Sequence, residues 1–279
     1  MSGPPSYYDR LGAYFSEEVD LLDELDRTNR SHAYMRRVSL ETLTRTFTPP
    51  GPLLEFGFGT GTEAVHLARA GFRVVGVDPS PAMLERAREK ASQAGFGPSC
   101  DLRSGSTADL AALVDEFGER SFGGAFATLG PLNCEPDLPS FARDLRRVLR
   151  PGSALVALVI NRFCAWEVAA FIGRADFRKA FRRFATEWGP LAGSGGGAGA
   201  PLRVFTYSPR SFARAFAPAF SVEECFALPA IMPPPYASPL VDRLGHLGDV
   251  LEAAEGRLAG RWPFPWVGDH FEVVLRARP

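Results

Sequence analysis

Leu53-Leu54-Glu55-Phe56-Gly57-Phe58-Gly59-Thr60-Gly61 is followed, after twelve intervening residues, by Val74-Val75-Gly76-Val77-Asp78. An apolar run enters a turn of alternating glycines, and a helical pattern over 62–70 comes next. A second β-rich run then ends in an acid. Strand, glycine turn, helix, strand and carboxylate form the front half of a nucleoside-binding α/β domain. The glycines suit a ligand that lies against bare backbone, where a Cβ would clash. Asp78 falls where a carboxylate accepts hydrogen bonds from both ribose hydroxyls.

The spacing bears on the ligand. Dinucleotide-binding turns read G-x-G-x-x-G, whereas Gly57, Gly59 and Gly61 read G-x-G-x-G. Glu55 stands two residues before the first glycine. A carboxylate there repels a pyrophosphate and attracts a cationic amino acid group. Glu55, the three glycines and Asp78 together resemble the first motif of class I S-adenosylmethionine-dependent methyltransferases. A nicotinamide-dependent oxidoreductase and a non-catalytic S-adenosylmethionine-binding partner subunit are the alternative readings.

The rest of the chain agrees with an α/β protein. Its 279 residues are 46% hydrophobic and 23% charged, with net charge -1. The balanced charge argues against a nucleic-acid partner. No apolar run reaches membrane-spanning length, and no secretory signal pattern is visible. Cys100, Cys134, Cys164 and Cys225 are scattered, so neither a metal site nor a disulfide framework is expected, and a reducing cytoplasm fits.

Residues 7–47 read as helical and 49–52 are proline-rich. Strands are expected at 53–56, 73–77, 100–103, 122–128 and 154–160, with helices between them. The alternation implies a doubly wound parallel sheet. It breaks after Ile160, where a helix over 165–184 and a glycine-rich run over 193–199, read as a surface loop, are inserted. A helix at 209–216 and a strand at 220–227 follow. A second excursion over 229–267, with a helix near 239–258, precedes a last strand at 270–276. The expected domains are an N-terminal helical lid (1–50), a cofactor-binding core (51–160), a substrate cap (161–208), and the remainder of the core (209–279) carrying the second excursion.

The family resemblance covers 51–160 closely and 220–278 in outline. It implies a Rossmann-like seven-stranded sheet with an antiparallel last strand, S-adenosylmethionine as cofactor and S-adenosylhomocysteine as product. Gly57, Gly59 and Gly61 would pass under the amino acid end, with Glu55 drawing its ammonium. Asp78 and Pro79 would hold the ribose, and Met83 would pack on the adenine. The family usually places Gly-Asp after the third strand; here Gly105-Ser106 stands, so Ser106 and Thr107 are expected to share the adenine contact. Thr128, Leu129 and Gly130 would line the transfer site, with Asn133 orienting a substrate group. From the lid, Tyr8 and Arg37 are candidates, Arg37 for the cofactor carboxylate.

An antiparallel last strand starts at the carboxyl edge of its parallel neighbours, where ligands bind. His270 is therefore the candidate general base, oriented by Asp269 or another carboxylate; a capping or core histidine is the alternative. After strand 5, Arg162, Phe163, Trp166 and Glu167, with Tyr236 from the second excursion, are candidate substrate contacts. Arg174, Arg178 and Arg182 are spaced four apart, as one solvated helix face. The expected reaction is methylation of a small, partly apolar molecule, oxygen first and nitrogen or carbon after it. No nucleic acid or membrane partner is expected, and the assembly is a monomer or homodimer.

Overall fold

The computed structural model describes residues 6–49, 51–185 and 202–279; the glycine-rich run over 193–199 lies outside the described residues. Three N-terminal helices come first: α1 Tyr7–Ser16, α2 Val19–Thr28 and α3 Arg30–Thr46. The alternating core follows as β1 Pro52–Phe56, α4 Thr62–Arg69, β2 Arg73–Asp78, α5 Pro81–Gln93, β3 Cys100–Ser104, α6 Leu110–Phe117, β4 Phe122–Ala127, α7 Leu138–Val148 and β5 Leu149–Ile160. Next come α8 Ala165–Ile172, α9 Phe177–Ala180, α10 Pro209–Phe216, β6 Phe220–Ala227, α11 Ser238–Leu244, α12 His246–Leu258, α13 Phe264–Val267 and β7 His270–Ala277.

The seven strands form one sheet in the order β3-β2-β1-β4-β5-β7-β6. β1 to β5 pair in parallel, and β7 runs antiparallel between β5 and β6. Alternation along each strand sends neighbouring side chains to opposite faces. Leu54, Phe56, Val75 and Val77 join one buried cluster with residues of α6, α7 and α10. Leu53, Val74, Phe126 and Val156 join the other with residues of α3, α4 and α5. Both faces are covered, as a parallel sheet requires.

The helical region read over 7–47 is made of three helices. The asparagine Asn29 caps α3, its side chain accepting from the His32 N–H. The far half of α3 is part of the core, with Phe47 6.1 Å from Phe126 between ring centres. The near half meets the second excursion. Asn29 Nδ2 donates to the Pro235 carbonyl at 2.8 Å, and Arg30 Nη2 lies 2.6 Å from Asp249 and 3.0 Å from Glu252. That excursion is anchored by buried Glu255, whose carboxylate accepts from the backbone N–H groups of Ala230, Ile231 and Met232.

The helix read over 165–184 is broken. It stops at Ile172, and Ala175 takes a left-handed φ of 56°. α9 and a short 3₁₀ turn over Arg182–Phe184 complete the segment. Arg174, Arg178 and Arg182 therefore do not share one helix face. Among the described residues, no helix is long and apolar enough to cross a membrane.

Candidate functional site

β1 and β2 end side by side, and the turn after β1 closes over their ends. Gly57, Gly59 and Gly61 all have left-handed φ, at 66°, 52° and 78°. They do different work. A Cβ on Gly57 would strike Pro131 of the loop after β4 at 2.6 Å, while Gly59 faces open space. Both line the main crevice. Gly61 does not: a Cβ there would meet Ala87 of α5 at 2.8 Å, so this glycine lets α4 and α5 pack closely.

Asp78 sits in the same crevice with Pro79 and Met83. Its Oδ2 accepts from the Gly59 N–H at 3.0 Å and its Oδ1 from the Ser80 N–H at 2.9 Å. Each carboxylate oxygen has two acceptor sites, so one on each remains for a diol. Burial raises this carboxyl to about 6, against the pull of those two N–H groups. Glu55, expected to draw the ammonium, does not itself line the crevice: it lies beneath, only 1% exposed, and among the described residues its Oε2 has no hydrogen-bond partner. Burial, then the charges of Glu63 and Asp78, push it well above the usual carboxylate range.

The N-terminal helices supply a wall. Leu11 and Phe15 of α1, and His32 and Arg36 of α3, line the crevice. Arg36 Nε lies 2.6 Å from Asp26 and its Nη1 2.5 Å from Glu63. Arg37 is a correction to the sequence reading. It points out, half exposed, to Glu41 at 3.2 Å and Glu252 at 3.1 Å, because successive helical residues diverge by about 100°. Tyr8 faces the crevice; its hydroxyl lies 3.0 Å from Thr107 Oγ1 and donates to Glu135 Oε2 at 3.1 Å. Burial pushes this phenol up to about 12, so it stays a donor.

α1 is tightly seated: a Cβ on Gly12 would overlap the Pro79 carbonyl oxygen. Replacing Gly12 with valine is expected to lift α1 from the crevice mouth. Overpacking of this kind costs about 1–3 kcal/mol. Faster hydrogen exchange across α1 with the core unchanged is the expected readout; unchanged α1 protection would show that the contact relaxes freely.

Ser106 and Thr107 reach the crevice, but Gly105 does not. Ser106 is committed to its own turn, its N–H donating to Asp109 Oδ2 at 2.6 Å and its Oγ accepting from the Ala108 N–H at 3.2 Å. Thr128, Leu129 and Gly130 line the wall after β4. Asn133 borders the crevice, yet its amide is spent on backbone. It donates to the Phe205 carbonyl at 2.6 Å and the Ile160 carbonyl at 3.3 Å, and accepts from the Ile160 N–H at 2.9 Å. It staples the end of β5 and does not offer its polar atoms to a ligand.

At the other end, Asp269 and His270 begin β7. Asp269 Oδ2 lies 2.8 Å from His270 Nδ1, and Oδ1 lies 2.5 Å from Arg183 Nη2. Arg183 is 2.9 Å from Glu167, which also meets Arg182 at 2.8 Å. Arg183 further donates to the carbonyls of Asn161 and Asp269 at 3.1 and 2.8 Å. Glu167, Arg183 and Asp269 are all buried. Burial would raise the Asp269 carboxyl, but Arg183 and His270 hold it far below the usual range. Arg182, Arg183, Asp269, His270 and Tyr236 line the same crevice as Asp78.

Arg162, Phe163, Trp166 and Glu167 do not line it. Arg162 Nη2 donates to the Thr206 carbonyl at 3.0 Å and Trp166 Nε1 to the Ile231 carbonyl at 3.1 Å. Arg182 and Arg183, beyond the break after Ile172, reach the crevice instead.

The buried acids set a pH dependence. Asp78 is raised to about 6 and Glu272, also buried, to about 7. A carboxyl raised in the folded state favours folding when protonated. Ligand-free protein is therefore expected to gain stability from these two groups as pH falls from about 8 to about 5, by up to ~1.4 kcal/mol per pH unit for each. Asp23, lowered to about 2 beside Lys90 and Arg86 although burial opposes this, holds its contribution until pH falls below about 4. Urea midpoints at the two ends of that window test the sign; a lower midpoint at the acid end would contradict it.

Residues 53–152 match the family described as Methyltransferase domain. A ubiquinone biosynthesis O-methyltransferase of Methylobacterium sp. (strain 4-46) is 27% identical over 172 residues, covering 60% of this chain and 66% of that protein. The chain thus spans just under two thirds of that relative's length. Among solved structures, geranyl diphosphate C-methyltransferase from Streptomyces coelicolor A3(2) superposes with a TM-score of 0.61 at 15% identity, covering 99% of each chain. The cyclase SpnF superposes at 0.62 with 16% identity, covering 100% of this chain and 99% of its own. Identities this low speak for the fold alone.

Proposed function

Because this chain belongs to the class I S-adenosylmethionine-dependent methyltransferases, we propose that it methylates a small, partly apolar molecule in the cytoplasm, at an oxygen first. The residues present suit the cofactor. Asp78 keeps one acceptor site on each oxygen for a ribose diol, Gly59 leaves bare backbone open, and Glu55 is an orphaned buried acid beside a crevice. Glu63 and Asp78, the acids in this part of the crevice lining, suit a cation and disfavour the pyrophosphate of a nicotinamide dinucleotide.

When bound, S-adenosylmethionine supplies a methyl carbon activated by positive sulfur. The chain's own work is to bind, align and exclude water, and alignment alone is worth roughly 7–11 kcal/mol of barrier. Met83 would pack against the adenine, and Tyr8, Leu11 and Phe15 would close the mouth. His270 takes the proton from the attacking hydroxyl at Nε2. Asp269 at Nδ1 fixes the tautomer and stabilises the imidazolium that forms. Arg183 holds Asp269 in place.

One observation carries this reading: the Asp269–His270 pair opens into the same crevice as Gly57, Gly59 and Asp78. Incubation with labelled cofactor and a panel of phenols, alcohols and amines tests it, and a methyl ether is the expected product. Tight cofactor binding with no turnover across the panel would favour a non-catalytic partner subunit. Asp78→Ala is expected to weaken cofactor binding by about 10- to 100-fold, since two hydrogen bonds to a charged group are lost. Unchanged affinity by calorimetry would remove Asp78 from the site.

A further inference from the structure

Three carboxylates meet under the glycine turn: Glu55 from β1, Glu63 from the first turn of α4 and Asp78 from the end of β2. All are buried. Glu63 is paired with Arg36, and Asp78 accepts two backbone N–H groups. Glu55 has no partner for Oε2. The cation facing the cluster is Arg36 of α3, which Asp26 of α2 shares. His32 turns its Nδ1 to Asp26 at 3.0 Å and so adds to that pair, not to Glu55. From β3 the neighbour is the Cys100 thiol, itself pushed up by burial and by Glu55. Among the described residues no element thus brings Glu55 a counter-ion of its own, while the crevice next to it opens at Gly57 and Gly59.

A buried carboxylate without a partner is costly, and such a group neutralises itself by holding its proton. An ammonium arriving at the turn reverses the balance, because an opposite charge favours the ionised acid. Resting on the cofactor assigned above, we propose that capture of the amino acid end of S-adenosylmethionine expels one proton from this three-acid cluster, the cofactor's ammonium taking the proton's place. The step balances. The Glu55 O–H bond breaks, the proton passes to solvent, and the carboxylate left behind pairs with the ammonium. Affinity for ammonium-bearing nucleosides then rises as pH rises, by up to about tenfold per pH unit, and levels off once Glu55 is already ionised in the free protein. A nucleoside without the amino acid end lacks the share due to Glu55 and keeps only what Asp78 contributes through the ribose.

The test is isothermal titration calorimetry of the full chain at about pH 6 in two buffers of unlike ionisation enthalpy. S-adenosylhomocysteine and 5′-methylthioadenosine, which lacks the ammonium, are the probes. The expected result is about one more proton released with the first than with the second, since any proton that leaves Asp78 on ribose binding is common to both. Glu55→Gln is expected to abolish that difference and weaken S-adenosylhomocysteine about tenfold, leaving 5′-methylthioadenosine unchanged. Should the variant fail to fold, the two wild-type titrations still decide. Tight binding of S-adenosylhomocysteine with no buffer dependence, or equal proton counts for both nucleosides, overturns the proposal. Binding of neither nucleoside overturns the cofactor assignment itself, and the proposal with it.

Discussion

Replacing His270 with alanine is expected to slow methyl transfer by about 100- to 10,000-fold, the usual contribution of a positioned base, with cofactor affinity nearly intact. His270 sits at the start of β7, beside the crevice wall formed by β5, and Asp78 sits at the end of β2 on the other side of the sheet's centre. Loss of the imidazole therefore leaves the ribose contacts alone. The loss also depends on the acceptor. A phenol that is already ionised has no proton to give up, so acidic phenols are expected to lose far less rate in the variant than alkyl alcohols. A uniform loss across acceptors of different acidity would point to a packing role. Full activity with every acceptor would remove His270 from the reaction.

The start of β7 was readable because topology, not side-chain contact, places it. Once the first five strands alternate with helices and the last runs antiparallel, the residues entering it face the ligand edge. Asp78 and the glycine turn were readable for a similar reason: they are local, lying within 22 residues of one another along the chain from Gly57. What was missed is non-local. Arg183 meets Asp269 across 86 residues and Glu167 across 16, after a helix break that no spacing rule announces; a left-handed Ala175 is an outcome of packing, not of composition. Asn133 has the composition of a turn residue, and its amide serves carbonyls 27 and 72 residues away. Spacing along α3 distinguishes Arg36 from Arg37. Arg36, Leu40, Leu43 and Phe47 recur at helical spacing, and that stripe is the face α3 turns to the sheet and the crevice.

Arg183→Met is expected to be the most destabilising single change among these residues. Arg183 is 5% exposed and holds two buried carboxylates, Glu167 and Asp269, as well as two backbone carbonyls. Removing one partner of a buried pair costs about 3–5 kcal/mol, because the charge left behind stays desolvated. For a chain of this size that lowers the melting temperature by roughly 6–10 °C. Lysine does not substitute: a point charge with three donors replaces a planar fork that reaches both acids and both carbonyls at once. The cause is separable from simple loss of packing. In the Arg183→Met background Glu167 keeps Arg182, whereas Asp269, among the described residues, keeps only His270; Asp269→Asn there removes the stranded charge and is expected to recover part of the lost stability, whereas in the native chain the same change is destabilising. That reversal of sign is the signature of an uncompensated charge. A loss below about 1 kcal/mol for Arg183→Met would place the cluster in the class of solvent-relaxed ion pairs, and Asp269 would then have no fixed frame from which to orient His270.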